Sequence, residues 1–186
     1  MKKRTWLLLG SGGVLLLAGL ASGSWMVTET ALQATSDREF CSSCHTMDAF
    51  VASYDQDVHG GQNPQGLRAD CADCHLPHDS PANYFVQKGL FGLKAGWGQV
   101  VSLVFEPDWV TSLEQRNDFL YDSACLNCHA ALEHAPEQSP AAAFGHRTYF
   151  APDNALSCAD CHPHVGHKDL RAHLAGDALP TTTNEE

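Results

Sequence analysis

Basic residues are scarce in this sequence. Eleven lysines and arginines stand against 22 aspartates and glutamates, so the 186-residue chain carries a formal net charge of −11 at pH 7 with histidine neutral. That balance argues against a nucleic-acid partner and against broad attachment to anionic lipid. Charge of either sign is missing from Thr5 to Thr28. Beyond that stretch long apolar segments are few, and only "NYFVQKGLFGLKAGWGQVVSLVF", residues 83 to 105, is strongly apolar. Too few periodic segments remain to build a conventional core for a domain of this length. Unpaired cysteine is absent as well. All eight cysteines fall in C-x-x-C pairs, Cys41/Cys44, Cys71/Cys74, Cys125/Cys128 and Cys158/Cys161, and none is left over.

Each pair is followed at once by histidine, at His45, His75, His129 and His162. A disulfide framework would scatter its cysteines, and zinc sites built on C-x-x-C have no need of histidine at the next position every time. The repeated C-x-x-C-H is the attachment motif of c-type haem. Two thioethers fix the porphyrin and the adjacent imidazole reaches the iron on one face. Four covalently bound haems would then fill most of the missing core. The motifs start 30, 54 and 33 residues apart, and the second and fourth both read "CADCH" with proline close behind. This spacing reads as two dihaem units, about 36–80 and 120–168. The predicted fold class is mainly α with little regular secondary structure: short motif helices joined by Gly/Pro loops such as "HGGQNPQGLR" and "HAPEQSPAAAFG".

Covalent haem attachment in bacteria happens outside the cytoplasm, and the N-terminus carries an export signal. Lys2, Lys3 and Arg4 precede the uncharged run, which is longer than the 7 to 15 apolar residues of a secretory signal and near the 20 or so that a spanning helix needs. Trp6 and Trp25 stand near its ends, and the basic end belongs in the cytoplasm. Residues 1–28 are therefore expected to be a retained transmembrane anchor, with a cleaved signal ending at Gly19-Leu20-Ala21 as the alternative. Helical pattern continues through "TETALQATSDREF" into the first motif. Gly19 and Gly23 form a small-xxx-small pair that can pack two anchors together. Residues 29–173 form the periplasmic tetrahaem domain, and 174–186 a flexible tail. The 83–105 segment reads either as a core helix or as one lying at the membrane surface.

The stretches "TALQATSDREFCSSCHTM", "GLRADCADCHLPH", "YDSACLNCH" and "CADCHPHVGH" resemble, in order and over nearly the whole chain, the NapC/NirT/NrfH family of membrane-anchored tetrahaem cytochromes. The resemblance implies oxidation of membrane quinol, menaquinol or ubiquinol, in the bacterial inner membrane, with electrons delivered to a periplasmic reductase of the nitrite or nitrate type in anaerobic respiration. By the family pattern His167 binds the iron opposite His75, and His59 the iron opposite His129. Opposite His162 the selected residue is His146, although in some relatives a partner protein supplies that ligand. His78, His134, His164 and His173 are left as surface or supporting residues.

Met47 lies only two residues past His45. A chain advances at most about 3.3–3.6 Å per residue, so Met47 cannot easily pass round the porphyrin edge, and the two compete for one side of the first iron. The resemblance implies that Met47 takes it, which would raise the potential of that centre and leave its other face accessible. The alternative is a His45-ligated iron with Met47 as packing.

Lys88 matches the family's lysine beside the quinone. The family carboxylate expected seven residues later falls on Ala95, with Lys94 next to it. Either the alignment is shifted, or another acid such as Asp48 or Asp55 serves, or the pocket works differently. Lys88 and Lys94 can equally be lipid-facing anchors whose ammonium groups reach for phosphate. The acidic balance suits a reductase with a basic docking surface. Two other readings compete: a soluble multihaem electron shuttle without quinol oxidation, and an enzyme reducing a small molecule at an open haem.

Overall fold

The computed structural model describes residues 2–176, with side chains from residue 10 onward. The expected tail lies outside the described residues from position 177. Ten α-helices follow one another with no strand among the described residues; the single β-bridge pairs Gly60 with Arg68.

Helix α1 runs from Lys2 to Ala34, 33 residues without a break. At 1.5 Å per residue it is about 50 Å long, against about 30 Å of bilayer hydrocarbon. Its Gly10–Ala34 portion is long and apolar enough to cross a membrane and is not covered by the rest of the chain. The helix does not continue into the first motif. The Thr35 hydroxyl donates to the Ala31 carbonyl at 2.7 Å, the Ser36 hydroxyl to Leu32, and the Asp37 carboxylate accepts from Phe40 N at 2.8 Å. Three short polar side chains in succession satisfy the helix end locally, and the chain turns before α2, Arg38–Cys41.

The first motif is split rather than carried on one helix, a correction to the expectation of a motif helix at each C-x-x-C pair. Helix α2 ends at Cys41, and Cys44 lies beyond it in extended backbone, φ −104° and ψ 124°. The reason is local: the Ser42 hydroxyl donates to the Glu39 carbonyl at 3.0 Å and the Ser43 hydroxyl to the Phe40 carbonyl at 2.6 Å. Serine hydroxyls that bond the backbone in this way compete with the helical ladder and end it. From Cys44 a 3-10 turn, His45–Met47, leads into α3, Asp48–Tyr54.

Helix α4, Cys71–His75, carries the second motif, and α5, Pro81–Ser102, covers the apolar run. Ser80 caps α5 by accepting from Asn83 N, with Pro81 at the first position, where its missing N–H costs nothing. Helix α6, Trp109–Ser112, precedes a kinked 3-10 stretch, Leu113–Phe119. The third motif is on α7, Asp122–Cys128, and the fourth on α9, Cys158–Cys161. Between them α8, Pro140–Tyr149, takes up the second half of "HAPEQSPAAAFG": Ser139 caps it, with Pro140 at its first turn, so the loop is confined to the residues before Ser139. Helix α10, Leu170–Leu174, packs on α3.

The polypeptide has little core of its own. Among the described residues the buried apolar ones are Tyr54, Ala72, Leu76, Pro77, Ala124 and Ala159.

Candidate haem centres

The "CADCH" helices are started by their own sequences. In α4, Asp73 accepts from Asp70 N at 2.8 Å, while Asp70 accepts from the third residue in return. In α9, Asp160 accepts from Ser157 N at 2.7 Å and completes the same reciprocal cap. The aspartate of each "CADCH" is thus a helix-starting residue, a signal of the capping-box type that the sequence carried and our reading passed over. In α4, α7 and α9 one helical turn then sets Cys71 and Cys74, Cys125 and Cys128, and Cys158 and Cys161 three residues apart on one face, with histidine one step on. Cys41 and Cys44 are placed differently. Cys41 is the last residue of α2 and Cys44 the first beyond the Ser42-Ser43 turn, yet the Cys44 N–H still donates to the Cys41 carbonyl at 3.5 Å, so the two half-buried cysteines stay on one tight turn.

The motifs lie against one another in the order of the chain. The Cys41 and Cys71 sulfurs are close enough to share a hydrogen bond, and so are those of Cys125 and Cys158. The second pair is held by Asp122, whose carboxylate accepts from Cys158 N at 3.0 Å and from the Tyr149 hydroxyl at 2.7 Å.

Three histidine pairs face each other from distant parts of the chain. Ring centroids of His75 and His167 are 6.2 Å apart, those of His59 and His129 6.3 Å, and those of His146 and His162 6.3 Å. Two imidazoles bound to one metal, with bonds of about 2.0–2.1 Å and ring centres roughly 1.1 Å behind the nitrogens, stand about 6.2–6.4 Å apart. The residues present therefore fit a haem iron between each pair.

Four of these six rings also have a partner at the other nitrogen. His75 Nδ1 pairs with the Phe119 carbonyl at 2.8 Å, His167 Nδ1 with the Phe50 carbonyl at 3.1 Å, His59 Nδ1 with Asp57 Oδ1 at 3.0 Å, and His146 Nδ1 with Gln138 Oε1. In each the Nδ1–H donates, which fixes the tautomer and leaves Nε2 bare to accept a metal. The surrounding chain disfavours the charged form of His75. It pushes His167 down to about 4, with His75 adding to the effect, so both rings are neutral and ligand-competent.

Around the first motif His45 is exposed and Met47 half-buried, on a turn whose middle residue, Thr46, accepts from the Gln99 side chain of α5. Eleven residues earlier on α5, Lys88 Nζ donates to the Leu32 carbonyl at 2.8 Å and to the Ser36 hydroxyl. Lys88 therefore binds the end of α1 and is not an outward-facing anchor. Burial lowers its pKa, opposed by the fields of Cys41, Asp37 and Asp70. Lys94 is exposed and stands 5.6 Å over the Phe119 ring. It borders a cavity of about 130 Å³ with His75, Phe91 and Asp118.

Of the two acids considered in place of the carboxylate missing at Ala95, Asp48 is exposed in the first turn of α3. Asp55 is clamped by Arg38, with Nε at 2.7 Å, and by Arg68 at 3.0 Å; the Arg38 guanidinium holds its carboxyl below the usual carboxylate range. A carboxylate so held is a poor proton acceptor. Asp37 and Asp70, which the sequence reading did not single out, are the acids whose fields reach Lys88. Of the remaining histidines, His134 and His164 are exposed. His78 is half-buried against Tyr84, and His173 Nε2 is buried with no hydrogen-bond partner among the described residues.

Comparison with known proteins settles the class. Residues 2–172 match the NapC/NirT cytochrome c family, N-terminal region. The chain belongs to that family. NapC of Escherichia coli (strain K12) is 31% identical over 177 residues, covering 86% of this chain and 84% of that protein. The tetraheme c-type cytochrome CymA of Shewanella oneidensis is 33% identical over 168 residues, covering 82% and 88%. The denitrification system component NirT of Stutzerimonas stutzeri is 31% identical over 166 residues, covering 83% and 81%. This NapC/NirT-family cytochrome is thus a membrane-anchored electron-transport protein of mainly helical fold with covalently bound haem c.

Proposed function

We propose that this cytochrome oxidises quinol, menaquinol or ubiquinol, at the bilayer end of its haem domain and passes the electrons to a periplasmic reductase of the nitrite or nitrate type. The observation that carries the reading is the bond from Lys88 to the end of α1 beside the first motif. It joins three things such a site requires: the point where the membrane helix emerges, a cation, and the motif nearest the bilayer.

In this reading each C-x-x-C pair holds one haem through two thioethers, Cys41 with Cys44 included despite the break of the helix between them. His75 with His167, His59 with His129 and His146 with His162 would hold three of the irons, while Met47, half-buried beside exposed His45, would hold the first. Bound haems supply one-electron acceptors, with the sulfur-ligated one the highest in potential. Quinol loses two electrons and two protons. The Lys88 ammonium, half-buried and already donating two hydrogen bonds, stabilises negative charge developing on a quinol oxygen. Asp37, one residue after Ser36, and Asp70 offer carboxylates for the protons. Gln99 holds the His45–Met47 turn against α5.

Helix α5 supports access from lipid. Its half-buried residues include Tyr84, Gln87, Lys88, Gln99 and Ser102, all polar or amphipathic. The opposite face presents Val86, Leu90, Leu93, Trp97, Val100 and, two residues past the helix, Val104, each more than half exposed at helical spacing. A helix with its polar side inward has an apolar medium outside, and Lys88 joins this one to the membrane helix. We take the occupant of that stripe to be the hydrocarbon edge of the bilayer. Lys2, Lys3 and Arg4 keep the short end cytoplasmic, which puts the haem domain on the periplasmic side of the inner membrane.

The test is oxidation of a quinol analogue by purified protein in detergent, followed by haem reduction, for wild type, Met47→His and Lys88→Ala. Slow reduction in both variants with full haem content supports the site. Wild-type reduction in both would remove it.

A further inference from the structure

We propose that the buried carboxylate of Asp57 holds the third centre, that of Cys125/Cys128, at the lowest potential of the three histidine-paired centres. This rests on the pairing of His59 with His129 given above, and not on the quinol reading. Asp57 is 8% exposed. Its Oδ1 receives two hydrogen bonds from His59, from the backbone N at 2.8 Å and from Nδ1 at 3.0 Å. No lysine or arginine among the described residues pairs with it; both arginines of the neighbourhood, Arg38 and Arg68, are taken by Asp55.

The other imidazoles whose Nδ1 partners are given above donate to neutral acceptors, the carbonyls of Phe119 and Phe50 and the amide of Gln138. A carboxylate at that position draws the proton further from the ring, raises the donor strength of Nε2, and adds a full negative charge near the metal. Both effects favour the more positive, oxidised state. The charge is also central. Asp57 is the sole carboxylate lining a cavity of about 360 Å³ that includes His59, His162, His164 and Cys161, and its field reaches His167. One side chain therefore faces ligands of three centres, touching one of them directly. Asp57 acts through His59 and is a positioning residue. The chain uses it to set a dip in potential between the second and fourth centres.

Asp57→Asn keeps an oxygen able to accept both bonds from His59 while removing the charge, so the loop need not move. The potentiometric titration of the full-length protein in detergent, read by haem absorbance, resolves its one-electron waves. We expect the lowest wave to rise by about 59 mV, the equivalent of a tenfold change in the reduced-to-oxidised ratio for one electron. Waves of the second and fourth centres should rise less, and the low-spin g-values of one species should move with the first wave. The converse variant, Gln138→Glu, should lower the wave of the centre served by His146. Unchanged waves in Asp57→Asn, a fall, or an equal displacement of all waves would overturn the assignment.

Discussion

Lys88 serves two ends at once, and its substitution separates them. As a cation at the carbonyl end of α1 it stabilises a helix terminus; in the proposed function it is also the donor that meets quinol beside the first motif. Lys88→Ala should cut quinol-analogue oxidation by about 100-fold, the order seen when one charge-stabilising donor is removed, with haem content unchanged. Lys88→Arg should restore the helix contact and only part of the rate, because a planar guanidinium replaces a compact ammonium. Asp55 belongs to stability. Its carboxyl is depressed by Arg38, so its contribution is present above the ordinary carboxylate range and is lost as pH falls through its lowered value. Because the pair is about one-third exposed, screening keeps that contribution small. Asp55→Asn should cost about 0.5–1 kcal/mol at pH 7, read as a lower midpoint of thermal unfolding, and should cost nothing once pH falls below the carboxyl's depressed value.

Elements here are placed by single close contacts. The loop that presents His59 folds back on α3 so tightly that a Cβ on Gly60 would meet the Tyr54 carbonyl oxygen at 1.9 Å. The next residue, Gly61, has φ +101°, a conformation that L side chains rarely adopt. Gly60→Ala should therefore push His59 away from His129 and lower stability by about 1–3 kcal/mol, and one low-spin haem signal should be lost while the other histidine-paired centres keep theirs. Helix α5 makes the opposite kind of prediction. Cysteines introduced at Leu93 and Trp97 should react in proteoliposomes with a lipid-soluble maleimide and resist a charged one. A cysteine at Phe144, 67% exposed on α8, should react with both. Protection of the α5 positions from both reagents would mean that protein, not lipid, covers the stripe.

At the scale of the molecule, the few buried apolar residues, three of them alanines, give the haem domain little apolar core of its own. The proposed ligand pairs cross from one half to the other, His75 to His167 and His59 to His129, so a metal held by either would close a loop of 70 residues or more. Cys71→Ala with Cys74→Ala should then loosen the whole haem domain. Limited proteolysis should cut both halves, where a local effect would confine cleavage to the neighbourhood of α4. A net charge of −11 also predicts that association with a basic reductase slows as ionic strength rises. Retention in the membrane after a salt wash separates this picture from that of a soluble shuttle.

Sequence alone determined whatever is local in the chain: the four C-x-x-C-H motifs, the uncharged run long enough to cross a bilayer, and the helices that carry the second, third and fourth motifs. These rest on contacts between residues at most a few positions apart, where covalent spacing leaves little choice. The first motif was legible as a haem site but not as a broken helix, because whether Ser42 and Ser43 turn their hydroxyls to the backbone before Cys44 is not written in the C-x-x-C spacing. Spacing could not select which of seven spare histidines turns to which motif; the family pattern suggested His167 and His59, and His146 was a choice among the rest. Tertiary structure brought three such pairs to 6.2–6.3 Å, turned Lys88 to the end of α1, gave Asp55 to two arginines and left Asp57 buried against His59. It also set the polar side of α5 inward. The physical reason is the same in each of these tertiary cases: burial, charge pairing and a shared metal depend on distances across the fold, which separations of up to 92 residues along the chain do not encode.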